Sequence, residues 1–159
     1  MNAATDFDIG PLTWVKSEID LALERADKAL RQFTASAADG TGDLTQIKFC
    51  RTHLHQVQGA LTIVGLDGVT QFSEAMEALL EAMEVQQRPA APSSLELIQR
   101  AMGVLRHYLD DLLAGQPNQP LRLLPLYREV QLARGQERVL PTDLFFPNLL
   151  VGPERRAGP

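Results

Sequence analysis

Leu95-Glu-Leu-Ile-Gln-Arg-Ala-Met-Gly-Val-Leu-Arg-His-Tyr-Leu-Asp-Asp-Leu112 places apolar residues at Leu95, Ile98, Met102, Leu105, Leu109 and Leu112, in steps of three and four without exception. That spacing keeps all six on one side of an α-helix and predicts a helix engaged along a single seam. Ser93 and Glu96 form a capping-box pair in front of it, and Gly115-Gln-Pro117 ends it. Three upstream segments carry the same kind of stripe. The first begins near Pro11 and runs through Leu12, Val15, Ile19, Ala22, Ala26, Leu30 and Phe33 before Gly40 and Gly42 break it. The second opens at Asp43, with Gln46 as a second capping-box pair, carries Leu44, Ile47, Leu54, Val57, Leu61 and Val64, and stops around Gly65. The third starts at Asp67 or Gly68, turns Val69, Phe72, Met76, Leu79, Leu80 and Met83 inward, and ends before the rigid linker Arg88-Pro89-Ala-Ala-Pro92.

Four amphipathic helices with short connections predict an all-α fold, an antiparallel four-helix bundle of up-down-up-down topology. A fifth, shorter helix is expected from Leu124 to Arg134, with Pro125 in its first turn and Gly135 at its end. Past Val139 the prolines and Leu144, Phe145, Phe146, Leu149 and Leu150 predict an extended tail whose aromatics pack on the bundle, with 152–159 disordered or linker. The expected organisation is a flexible N-terminus over 1–10, the bundle over 11–138, and a packed then disordered tail or interdomain linker over 139–159.

The chain has 159 residues, 45% hydrophobic and 22% charged. That is enough for one domain with a core that needs neither disulfides nor metal. Its formal net charge is −5, and Lys and Arg are scattered. No footprint for nucleic acid or an anionic membrane results, and a protein partner is the expectation. The single cysteine, Cys50, lies near the apolar stripe of the second helix, where a buried inert thiol is expected. No basic region precedes an apolar run at the N-terminus, and no 18 consecutive residues are apolar, so neither membrane insertion nor export is predicted and a cytoplasmic location is expected.

Chemistry points to Arg51-Thr-His-Leu-His-Gln-Val-Gln-Gly-Ala-Leu-Thr-Ile-Val-Gly-Leu66. His55 lies off the apolar stripe, and its neighbours three and four positions away are Arg51, Gln58, Gly59 and Thr62. A nucleophilic imidazole must reach solvent, and a glycine one turn on clears space for a visiting protein. Helical glycine costs about 1 kcal/mol relative to alanine, so Gly59 on a polar face calls for close approach of a partner or a neighbouring helix.

His55-Gln-Val-Gln-Gly59, followed by Ile63-Val-Gly-Leu66, resembles the His-x-x-Lys-Gly signature of histidine phosphotransfer (HPt) domains. Leu123-Leu-Pro-Leu-Tyr-Arg-Glu129 and Asp143-Leu-Phe-Phe-Pro147 resemble the N-terminal region of ChpA/PilL-type hybrid chemotaxis histidine kinases, which control type IV pili. The resemblance implies that His55 is the phosphoacceptor, taking a phosphoryl group from a histidine kinase catalytic domain and passing it to a receiver domain. Gln58 stands where an active HPt domain usually has lysine; it offers a neutral amide donor in place of a charge, and charged hydrogen bonds are roughly twice as strong. Gln58 and Thr62 are expected to donate to the phosphoryl oxygens, Arg51 to stand in for the missing cation, and Gly59 to keep the docking surface flat. The alternative is a scaffold of the same architecture, unphosphorylated, that binds proteins of the same signalling system. The module is expected to be monomeric.

His53 is turned about 200° from His55, toward Cys50 and Val57, and reads as a partly buried, hydrogen-bonded histidine. The two histidines cannot share a metal from opposite faces, and no metal is expected. His107, with Asp110 and Asp111 one turn on, reads as a surface ion pair. Glu74, Glu77, Glu81 and Glu84 read as a solvated acidic stripe on the outer face of the third helix. Nucleotide-binding and hydrolase motifs are missing from the sequence. The chain is therefore expected to act as substrate and donor for an enzyme located elsewhere, with no cofactor of its own.

Overall fold

The computed structural model describes residues 8–40 and 42–144. Five α-helices follow in order: α1 Gly10–Ala38, α2 Leu44–Val64, α3 Asp67–Glu84, α4 Pro92–Leu113 and α5 Leu124–Ala133. Single 3-10 turns precede α5, at Pro120–Leu123, and follow it, at Pro141–Asp143. Among the described residues there is no strand, and no helix is long and apolar enough to cross a membrane.

The helix ends follow from local chemistry, with two corrections to the capping expectations. Asp43 does cap α2, accepting from the Thr45 backbone N–H, but the reciprocal half of the box is missing, and the Gln46 side-chain oxygen is buried without a hydrogen bond. Gly65 ends α2 at φ 89°, the left-handed conformation that only glycine adopts without cost. The capping box at α4 does not form. That helix begins two residues earlier than the pair requires, on Pro92, whose fixed φ suits the first helical position and whose missing N–H costs nothing there.

α1 packs along α2 and α4, and α2 packs along α3. α3 and α4 touch only slightly. α5 and the turn before it wedge between them, contacting both. The short helix is thus part of the bundle rather than an appendage, supplying Leu123, Tyr127 and Val130 to the core. Tyr108 of α4 helps to fix it: its hydroxyl donates to Asn118 Oδ1 at 2.6 Å, and the Arg122 guanidinium lies 5.5 Å from its ring centre. All six residues of the α4 seam are buried, as are the six named for α3.

After α5 the chain returns to the bundle through a 3-10 turn at Pro141–Asp143, within the tail expected to be extended, and buries Leu144 completely. Gly68 makes room for this return, because a Cβ there would fall 2.6 Å from Pro120 Cβ and overlap the Leu144 carbonyl oxygen. Phe145, Phe146, Leu149 and Leu150 lie outside the described residues.

Cys50 is fully buried among α2 core residues, and burial pushes its thiol up to about 12. Since the thiolate is the reactive form, native Cys50 is expected to react with a disulfide reagent at mildly alkaline pH roughly a thousandfold or more slowly than in the urea-unfolded chain. Comparable rates in the two states would place α2 in a different rotation.

Candidate functional site

Three bonds tie α2 to α3 in a ladder. Arg51 Nε donates to Glu84 Oε1 at 2.8 Å, His55 Nδ1 lies 2.9 Å from Glu77 Oε1, and Gln58 Nε2 donates to Glu74 Oε2 at 2.9 Å. Ascending α2 meets descending α3, as antiparallel neighbours require. The acidic stripe of α3 therefore does not stand free on an outer face. It borders the α2 groove, because the apolar seams of α2 and α3 face the core and leave these positions on the adjoining flank.

His55 stands at the centre of the ladder with its side chain 72% exposed, whereas that of Glu77 is only 14% exposed. An ionised carboxylate can only accept, so the proton of the neutral imidazole lies on Nδ1 and the lone pair on Nε2. The half-buried carboxylate fixes tautomer and ring orientation at once. The other Glu77 oxygen, Oε2, is buried without a partner among the described residues.

The other expected site residues gather around this pair in different ways. Gly59 is exposed, and among the described residues a Cβ there would meet nothing within 4 Å, so no described helix accounts for it. Thr62 Oγ1 donates back to the Gln58 carbonyl at 2.9 Å. Gln58 and Arg51 are both turned to α3, and the bond to Glu84 raises the Arg51 guanidinium above its ordinary value. Among the described residues neither side chain hydrogen-bonds to His55.

Glu77 was not singled out by the sequence reading as part of the site. The 3-4 spacing of Glu74, Glu77, Glu81 and Glu84 marks a helix face, but only the packing of α3 against α2 pairs Glu77 with His55. His53 is half-buried and approaches Gln56 Oε1 at 3.4 Å, and His107 Nε2 lies 3.7 Å from Asp111 Oδ2, both as expected of structural or surface histidines. No group of three or more His, Cys, Asp or Glu among the described residues is placed to hold a metal ion.

Burial pushes the Glu77 carboxyl above its ordinary value, and the hydrogen bond from His55 draws it partly back. Between its unfolded and its raised folded value the native state binds more protons than the unfolded chain. The contribution of Glu77 to stability therefore falls as pH rises through that window, and at neutral pH the buried charge is a net cost. Glu77→Gln keeps an oxygen to accept from Nδ1 but carries no charge. Its stability relative to the parent, from urea unfolding at several pH values, is expected to increase from acid to neutral pH; a difference that shrinks over that range would contradict the burial of the charge.

A family model described as Hpt domain matches residues 12–115. Scaffold protein FimL of Pseudomonas aeruginosa is 31% identical over 140 residues, which cover 85% of this chain and 23% of that protein. The chain thus spans under a quarter of the length of that relative. No solved structure matches.

Proposed function

Because the chain belongs to the Hpt domain family, we propose that it is the histidine phosphotransfer module of a bacterial two-component pathway, with His55 as phosphoacceptor. The observation that carries this reading is the exposed imidazole held through Nδ1 by the half-buried Glu77 carboxylate. In the proposed reaction the Nε2 lone pair attacks the γ-phosphorus of ATP bound to a histidine kinase. The P–N bond forms as the P–O bond to ADP breaks, and Nδ1 keeps its proton. The resulting phosphoimidazolium is positively charged on the ring, and the Glu77 carboxylate at 2.9 Å stabilises that charge as it develops. Attack by a receiver aspartate then breaks the P–N bond. This chain supplies orientation, and the metal and acid groups belong to its partners. The pathway proposed is the cytoplasmic, chemotaxis-like system that controls type IV pili, on the strength of the Leu123–Glu129 and Asp143–Pro147 resemblance.

A specific observation favours the scaffold reading. Gln58 is bound to Glu74 and the cation of Arg51 to Glu84, so carboxylates and, among the described residues, no free cation border the position where His55 would carry a phosphoryl group. Like charges a few ångströms apart raise the energy of the phosphorylated form. A relative named a scaffold protein is consistent with a site kept for binding alone. Incubation with a chemotaxis-type histidine kinase and ATP separates the readings. Phosphotransfer requires an acid-labile, base-stable label that is lost in His55→Gln and kept in His53→Gln.

A further inference from the structure

We propose that the groove between α1 and α2, together with the outward stripe of α1, is a docking surface for an acidic amphipathic helix of a partner protein. The surface is distinct from the His55–Glu77 pair, which lies on the α3 side of α2, and the inference does not depend on whether His55 is phosphorylated. Trp14, Leu21, Arg25 and Lys28 follow one another at steps of seven, four and three, which places them on one face of α1. Trp14 is 84% exposed and Leu21 45%. Leu21, Ala22 and Arg25 line one wall of a groove of about 330 Å³ whose other wall is Gln56 and Ala60 of α2. One turn beyond Ala60, Ile63 is 81% exposed. Because α1 and α2 run antiparallel, Ile63 lies at the Trp14 end of the groove.

Large apolar side chains exposed to this degree and clustered along one groove mark an interaction surface rather than a scatter of ordinary surface residues. Charge selects the occupant. Arg25 and Lys28 make no ion pair among the described residues, whereas Arg31 beyond them is bound to Asp27. In a chain of net charge −5, whose α3 flank is acidic, two unpaired cations beside an apolar groove favour a partner with carboxylates at that end. Glu18, the one carboxylate lining the groove, lies toward the Trp14 end, where apolar contacts dominate. A helix with apolar residues at i, i+4 and i+7 and Asp or Glu flanking its last turn fits both ends.

The test uses the whole chain and a synthetic helical peptide carrying leucines at those positions and glutamates on the flank. Trp14 is the sole tryptophan, so its emission reports on the groove without a label. The peptide is expected to blue-shift that emission saturably, and a scrambled peptide of the same composition is not. Arg25→Glu with Lys28→Glu is expected to weaken binding about tenfold or more. Leu21→Ser, which leaves both cations and Trp14 in place, is expected to weaken it independently. Equal binding of the scrambled peptide, tighter binding of a lysine-flanked peptide, or no response to the charge reversal overturns the proposal. A concentration-dependent dimer in sedimentation, abolished by Ile63→Ser, assigns the groove to a second copy of the chain and overturns it as well.

Discussion

Leu105→Asp is expected to leave the chain without a cooperative fold. Leu105 is fully buried at the middle of the α4 seam, on a helix that packs against α1 and α5. The substitution loses about 2–3 kcal/mol of leucine burial. It also places a carboxylate where nothing pairs with it, at an effective cost of several kcal/mol whether the group stays charged or takes up a proton. Against a total stability of roughly 5–15 kcal/mol for a domain, the sum exhausts most or all of it. Far-ultraviolet circular dichroism should show most of the helical signal lost and no urea transition. Trp14→Asp is the matched control. That site is exposed and lies in the first turns of α1, where a negative charge suits the helix dipole, so its urea midpoint should stay close to that of the parent. Parent-like helicity and midpoint in Leu105→Asp would show that the seam is not core.

Gln58→Lys is expected to speed phosphorylation of His55 roughly tenfold, as initial rate with a chemotaxis-type kinase and ATP. The amide of Gln58 is neutral and already donates to Glu74, and the cation of Arg51 is held by Glu84. A lysine ammonium at 58 reaches either Glu74 or a phosphoryl oxygen, and in the transition state it offsets the negative charge on the phosphoryl oxygens that Glu74 otherwise opposes. If the parent takes no label and Gln58→Lys does, the site is kept for binding, and the scaffold reading replaces phosphotransfer. Equal rates in parent and variant would mean that the missing lysine is not what limits the chemistry.

The helices were legible because apolar periodicity is a property of each segment alone. The α4 seam can be read residue by residue from Leu95 to Leu112, and the structure buries every member. Asp43, Gly65 and Pro92 likewise act through neighbouring backbone. What depends on distant partners was not legible. The wedge of α5 between α3 and α4 follows from how four helices leave a gap, and the need for glycine at position 68 arises from Pro120 and Leu144, more than fifty residues away. The α4 capping box misled because Ser93 and Glu96 satisfy its spacing while Pro92, just before them, already sets the start of the helix. At the site, His55 and Gly59 stood out from their own helix, whereas Glu77 became meaningful only once α3 lay antiparallel to α2. Its stripe had the spacing of a solvated face, and only the packing turned it toward the imidazole.

The most direct measurement of the site is the position of the phosphorus on the ring, read by long-range proton–nitrogen NMR of the kinase-treated chain. With Nδ1–H held by Glu77 at 2.9 Å and Nε2 facing solvent, the expected product is His55 phosphorylated on Nε2, with Nδ1 still protonated and the resonances of His53 and His107 unchanged. A phosphoryl group on Nδ1 of His55, or on either of the other histidines, would contradict the tautomer and the role assigned to Glu77.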